Sequence, residues 1–157
     1  ASRFFFLMRR SDSQLDFDLD LAKRQSNDNP VYYVQYAHAR ISGVLREFLK
    51  RGGSLESLDG EEIDARIFDE KNARDLADAL SFYPLEISQA SNERAPQVLT
   101  GYVLNLAGIF HSFYNTNRIL DEPDEKISRG RINLVRAAQI VIASCLGLLG
   151  VNAPERM

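Results

Sequence analysis

The sequence has one cysteine, two histidines and no apolar run approaching the ~20 residues of a membrane span, and each shortage removes a class of function. Cys145 alone cannot form an internal disulfide, so a reducing cytoplasm is the default compartment. Together with His38 and His111 it supplies too few ligands for a structural zinc site, and the two histidines form no paired-His metal motif on one helix. Asp16, Asp18 and Asp20 resemble a calcium loop by count alone, because the turn glycine and the closing glutamate are missing. No glycine-rich phosphate loop precedes a helix, and no basic-then-apolar leader stands at the start. The expectation is therefore no catalytic residue, no metal ligand and no cofactor within these residues, and no membrane partner.

What is present suits one soluble globular domain with a short appendage: 157 residues, 45% hydrophobic and 26% charged. A net charge of −3 excludes a uniformly basic nucleic-acid binder, yet the charge is unevenly spread. Residues 1–60 carry a net +1, residues 61–126 a net −7 and residues 127–157 a net +3. If the two chain ends meet, they make a weakly positive face opposite an acidic middle, the arrangement of a protein that touches an anion on one side. Ordinary surface scatter is the alternative.

The first 24 residues differ from the rest. Arg3-Phe4-Phe5-Phe6-Leu7-Met8 is an apolar run of strand length, and after the turn-like Ser11-Asp12-Ser13 the segment Leu15–Asp20 alternates with period two. These features predict a short β-hairpin or extended appendage over 1–24. From Pro30 the period becomes helical. Asn29 suits an N-cap, Pro30 the first helical position and Gly52-Gly53 the stop. Further helices are predicted over 73–82, from Pro84 to about residue 94, from Pro96 to Leu120, and from Ser128 to Leu149, stopped by Gly150. Asp121-Glu122-Pro123-Asp124 reads as a breaker. The fold class is all-α: a bundle of about five helices over 25–157 behind the appendage.

The helix opening at Pro30 carries the functional signal. With Tyr32 set at zero, Val34, Ala37, Ile41, Val44, Leu45 and Phe48 fall between about 120° and 220°, the core stripe. Tyr32, Tyr36 and Arg40 fall at about 0°, 40° and 80°, away from it. Aromatic rings outside the buried stripe beside an arginine suit a stacking platform, since a base stacked on an aromatic ring contributes ~1–3 kcal/mol and the arginine adds charge. Packing beneath another helix is the alternative. The preceding Gln25–Pro30 loop, with Asn27 and Asn29, offers amide groups beside the tyrosines. On the long helix, Leu99, Val103, Leu106, Phe110 and Phe113 form the stripe. Tyr114 sits at its edge, with His111 and Arg118 just outside.

Three separated segments resemble the arginyl-tRNA synthetases: Asn27-Asp28-Asn29-Pro30-Val31-Tyr32-Tyr33-Val34-Gln35-Tyr36-Ala37-His38-Ala39-Arg40, Phe113-Tyr114-Asn115, and the ending Leu148-Leu149-Gly150-Val151-Asn152-Ala153-Pro154-Glu155-Arg156-Met157. Phe17-Asp18-Leu19-Asp20-Leu21-Ala22 also fits. The resemblance implies the all-helical anticodon-binding domain at 25–157, known for its Asp-Ala-Leu-Arg composition, with the end of the catalytic domain at 1–24. It implies an ATP- and Mg-dependent arginine–tRNA ligase as the intact parent, cytoplasmic, with the anticodon loop of an arginine tRNA and the same chain's catalytic domain as partners, and no DNA. The family's His-x-Gly-His-type and Lys-Met-Ser-Lys-type motifs are absent, which implies binding without aminoacylation.

Carried over by resemblance, the anticodon pocket is Tyr36, Arg40, Tyr114 and Met157, joined by Asn27, Asn29 and Tyr32. The reading that follows has Tyr36 and Tyr114 sandwich the middle anticodon cytosine while Arg40 donates to its O2 or N3 and a backbone carbonyl or the C-terminal carboxylate near Met157 accepts from its exocyclic amine. Lys23, Arg129 and Arg131 contact phosphates. The alternative from another class is a helical protein–protein interaction module without RNA binding.

Overall fold

The computed structural model describes residues 1–10, 17–60 and 62–157. Five helices carry the architecture: α3 (Pro30–Lys50), α4 (Lys71–Ser81), α5 (Tyr83–Asn92), α6 (Pro96–Thr116) and α7 (Glu125–Leu148). Two short helices precede them, α1 (Ser2–Leu7) and α2 (Leu19–Lys23), and two 3₁₀ turns, Glu56–Leu58 and Ala65–Asp69, lie between α3 and α4. All-α is the fold class among the described residues, and the ends of the long helices α3, α6 and α7 have local causes. Asn29 caps α3, its Oδ1 accepting from the Val31 and Tyr32 amides at 3.2 and 3.4 Å. A cap of this kind is worth ~1 kcal/mol. The predicted breaker instead supplies the cap of α7, where Asp124 accepts from Lys126 and Ile127. That helix therefore starts three residues before the predicted Ser128. α6 stops at Thr116 rather than Leu120, because Asn117 turns into extended backbone and its Nδ2 donates to the Phe113 carbonyl at 2.9 Å. Gly150 takes the left-handed φ of 65° that ends α7.

The expected N-terminal hairpin is not what the chain forms. Phe4, Phe5 and Phe6 lie in helix α1, and no strand occurs among the described residues. The rest of the hairpin, Ser11 to Asp16, lies outside the described residues. A short apolar run carries no period of its own, so tertiary packing decided its state. α1 packs on α6 and sinks Phe4 fully into the shared core. Phe17 stacks on Phe6 at 5.4 Å and meets Phe5 edge-on at 5.9 Å, covering part of the aromatic run. Asp18 of the alternating segment has a helical role: it caps α2 by accepting from the Leu21 amide at 2.9 Å.

α6 is the central element, touching α1, α3, α4, α5 and α7. Its Val103, Leu106, Phe110 and Phe113 are buried with Val34 and Ile41 of α3, Leu76 of α4, and Ile132, Ile142 and Leu146 of α7. α7 is long and apolar enough to cross a membrane by composition, but its apolar stripe is this packing face. Cys145 is fully buried in that stripe, where desolvation pushes its thiol pKa up to about 12 and leaves it unreactive. The last residues run without helix along α3. Gln35 Nε2 donates to the Asn152 carbonyl at 2.8 Å, His38 Nδ1 is 2.8 Å from the Pro154 carbonyl, and Arg46 donates to the Glu155 carbonyl at 3.0 Å.

Because Phe110 is sealed where α6 meets its neighbours, Phe110→Ala leaves a cavity that closes poorly. The expected loss is about 3–5 kcal/mol, read as a lower urea midpoint with an unchanged denaturant slope.

Candidate nucleic-acid interface

α3 has two sides because its sequence has two. The stripe facing α6 and α7 is apolar, and Tyr32, Tyr36 and Arg40 stand on the remaining flank, all three partly exposed. One turn apart, Tyr32 and Tyr36 lie parallel, with centroids 6.4 Å apart and an interplanar angle of 3°. The end of α6 meets this ladder from the side. Tyr36 stacks on His111 at 5.6 Å, and the Arg40 guanidinium carbon sits 3.9 Å from the centre of the Tyr114 ring and 5.8 Å from that of Tyr36. Tyr114 in turn tilts against Phe110 at 5.9 Å. The helical wheel thus placed Tyr32, Tyr36 and Arg40 on one face, and the packing of α3 on α6 adds Tyr114.

The space between Tyr36 and Tyr114 is occupied by the Arg40 guanidinium. That guanidinium has no carboxylate in ion-pair range among the described residues. Its side-chain hydrogen bond is a long one, 3.4 Å to Asn115 Oδ1. A cation held by ring faces and one weak bond moves at little cost and keeps its donors available for an incoming acceptor. The platform is an open ridge; a cleft of about 390 Å³ lined by Tyr33, Asn72, Gly108 and Ser112 lies on the other side of Tyr33.

The remaining expected residues have other placements. Asn29 is buried, and both ends of its amide are engaged: Nδ2 donates to the Ala22 and Arg24 carbonyls at 3.2 and 2.8 Å while Oδ1 caps α3. That amide holds α2 against the start of α3 and has no group left for a base. Asn27 is exposed in the loop before it. Met157 is exposed at the end of the tail, which follows the Gln35–His38–Arg46 flank of α3. Lys23 is exposed at the end of α2, and Arg129 donates to the Ser57 carbonyl and hydroxyl at 3.0 and 3.1 Å.

Arg131 is corrected outright. It is 7% exposed, and its guanidinium donates to the Arg118 carbonyl, Glu122 Oε2 and Glu70 Oε1 at 2.7–2.8 Å. This node ties α7 to the loop after α6 and to the start of α4, and no phosphate can reach it.

His111 belongs to the cluster although its place just outside the α6 stripe did not mark it for the site. It is 9% exposed, lies 4.8 Å from Tyr33 and 5.4 Å from Phe110, and its Nε2 has no hydrogen-bond partner. A buried acceptor left unpaired costs ~1–3 kcal/mol. Burial first, and the Arg40 charge second, hold its pKa below the ordinary value, while a hydrogen bond to the Tyr33 backbone works against them. The available signal was its position three residues before Tyr114, which puts both on one face of a helix.

A family model described as the DALR anticodon binding domain matches residues 34–157. The arginine–tRNA ligase of Desulforamulus reducens is 46% identical over 157 residues, all of this chain and 28% of the relative. That of Syntrophotalea carbinolica is 49% identical, again over all of this chain and 28% of the relative. Among solved structures, the Thermus thermophilus arginyl-tRNA synthetase superposes with a TM-score of 0.82 at 31% identity, covering 99% of this chain and 26% of the other. The chain spans about 28% of the length of the curated relatives it matches.

The state of His111 is measurable directly. Its imidazole is expected to titrate below 6.5 in proton NMR, and Arg40→Met, which removes the neighbouring cation, moves the midpoint upward. Because the unfolded chain takes up this proton first, the His111 contribution makes stability fall as the pH drops below ~6.5.

Proposed function

The chain belongs to the DALR anticodon-binding domain family, and we propose that it binds the anticodon loop of an arginine tRNA and reads the middle base. In this reading it is the C-terminal part of an arginine–tRNA ligase whose preceding region attaches arginine using ATP and Mg, in the cytoplasm. Residues 1–24 are the link to that region. The observation that carries the proposal is the convergence of Tyr32, Tyr36, Arg40 and Tyr114 on one open ridge, with Arg40 held by rings rather than by a carboxylate.

The genetic code sets what must be read. Arginine codons are CGN, AGA and AGG, so the middle codon base is always G and the middle anticodon base always C. A domain accepting all arginine tRNAs reads that cytosine and tolerates the first anticodon base. In a loop the base can be splayed from its neighbours, stacked on an aromatic face and read at its Watson–Crick edge. The cytosine takes the face of Tyr114 that the guanidinium covers, with Tyr36 opposite. Arg40 swings to its edge and donates to O2 or N3. Met157 closes over the base from the tail, Asn27 meets the adjoining nucleotide, and Lys23 and Arg129 contact phosphates, adding affinity without sequence information.

The test is a titration of this chain with an anticodon stem-loop carrying C or U at the middle position. Cytosine is expected to bind about tenfold tighter, since uracil lacks the exocyclic amine and leaves a buried acceptor unpaired. Equal affinities would overturn base reading. Tyr36→Ala and Tyr114→Ala are each expected to weaken binding by ~1–3 kcal/mol with the fold intact by circular dichroism.

A further inference from the structure

The reading above needs a buried acceptor for the amine of cytosine, and the tail that carries Met157 lies along the Gln35–His38–Arg46 flank of α3. Arg40 has only donors, and both tyrosines present ring faces. We propose that His111 is the specificity-determining acceptor: its Nε2 accepts the exocyclic amine of the middle cytosine once the base has displaced the Arg40 guanidinium. This rests on the anticodon-reading function and adds to it the atom that distinguishes C from U.

Three observations carry it. First, His111 Nε2 is a buried ring nitrogen without a partner, within the aromatic ladder, its ring centre 5.6 Å from that of Tyr36. Buried polar atoms are nearly always satisfied, so an orphan inside a binding cluster points to a partner that arrives with the ligand. Second, burial and the neighbouring Arg40 charge favour the neutral ring, in which one nitrogen carries a lone pair and can accept. Third, one of the groups around the ring is weakly held. On the α3 side the facing groups are Tyr33, Tyr36 and Arg40, and on α6 itself Phe110 and Tyr114. Arg40 is the one cation among them, and no carboxylate faces the ring among the described residues. Packing alone would be served as well by phenylalanine, with no orphan nitrogen.

The chemistry gives the proposal a signature that a structural ring would lack. Neutral Nε2 accepts, favouring the amine of cytosine. Protonated Nε2 donates, favouring the O4 oxygen that uracil carries at the same position. The C-over-U preference is therefore expected to shrink as pH falls from 7 toward 5, mainly through tighter uracil binding.

The experiment measures dissociation constants of anticodon stem-loops with middle C or U for the wild-type chain, His111→Phe and His111→Gln, at several pH values. His111→Phe is expected to lose most of the preference by weakening C while leaving U nearly unchanged, and to lose its pH dependence. His111→Gln, which keeps an amide acceptor, retains part of the preference without the pH dependence. If the wild type prefers C and His111→Phe keeps that preference, His111 is a packing ring only and this inference is wrong while the anticodon reading stands. If the wild type shows no preference, the anticodon reading itself fails and takes this inference with it. Should His111→Phe not fold, the wild-type pH profile decides: a C-over-U ratio that is flat from pH 7 to 5 overturns the proposal.

Discussion

The packing of α3 on α6 governs what this molecule can present to a partner. Each helix buries an apolar stripe: Val34, Ala37 and Ile41 from α3, and Leu106, Phe110 and Phe113 from α6, all without solvent exposure. At ~1.5–3 kcal/mol for each large side chain removed from water, this contact far exceeds any surface interaction in the molecule. The residues bordering the stripes are carried along by it. Tyr36 and Arg40 from one helix and His111 and Tyr114 from the other meet because the stripes beneath them are in register, giving ring distances of 4–6 Å between residues some 75 positions apart in sequence. The binding ridge is thus the edge of the core, and its rings are braced from below by Phe110.

Two arginines show how position assigns roles to identical side chains. Arg131 is enclosed by two carboxylates and a carbonyl, so its charge holds helix ends together. Removing one partner of such a buried node leaves an uncompensated charge, which makes it a structural commitment. Arg40 sits over rings with a single weak hydrogen bond, and its charge stays available. The chain is acidic overall, but an anion meets the local field, and locally this ridge carries a cation without a carboxylate.

Much of this was legible in the residues. The five long helices follow from apolar period, prolines at first helical positions and the Asn29 and Gly150 signals, with ends displaced where Asn117 and Asp124 turned out to cap. The off-stripe position of Tyr32, Tyr36 and Arg40 also followed from helical geometry. The α1 segment failed because three adjacent phenylalanines have no period. Whether they pair as a strand or coil as a helix depends on what they land against, here α6. Asn29 reads equally well as a base contact or a cap, and only the four hydrogen bonds of its amide identify the cap.

By itself the amino-acid order determined which segments coil, which face of each is apolar, and which aromatic and cationic groups are left outside, because these depend on spacing along one helix. Tertiary structure decided which of those groups meet. It buried Arg131, routed the tail with Met157 along the Gln35–His38–Arg46 flank, and set a histidine with an unpaired nitrogen against Tyr36. The physical reason is that burial and hydrogen-bond partnership between distant residues are properties of how helices pack on one another, and no spacing within a single helix encodes them.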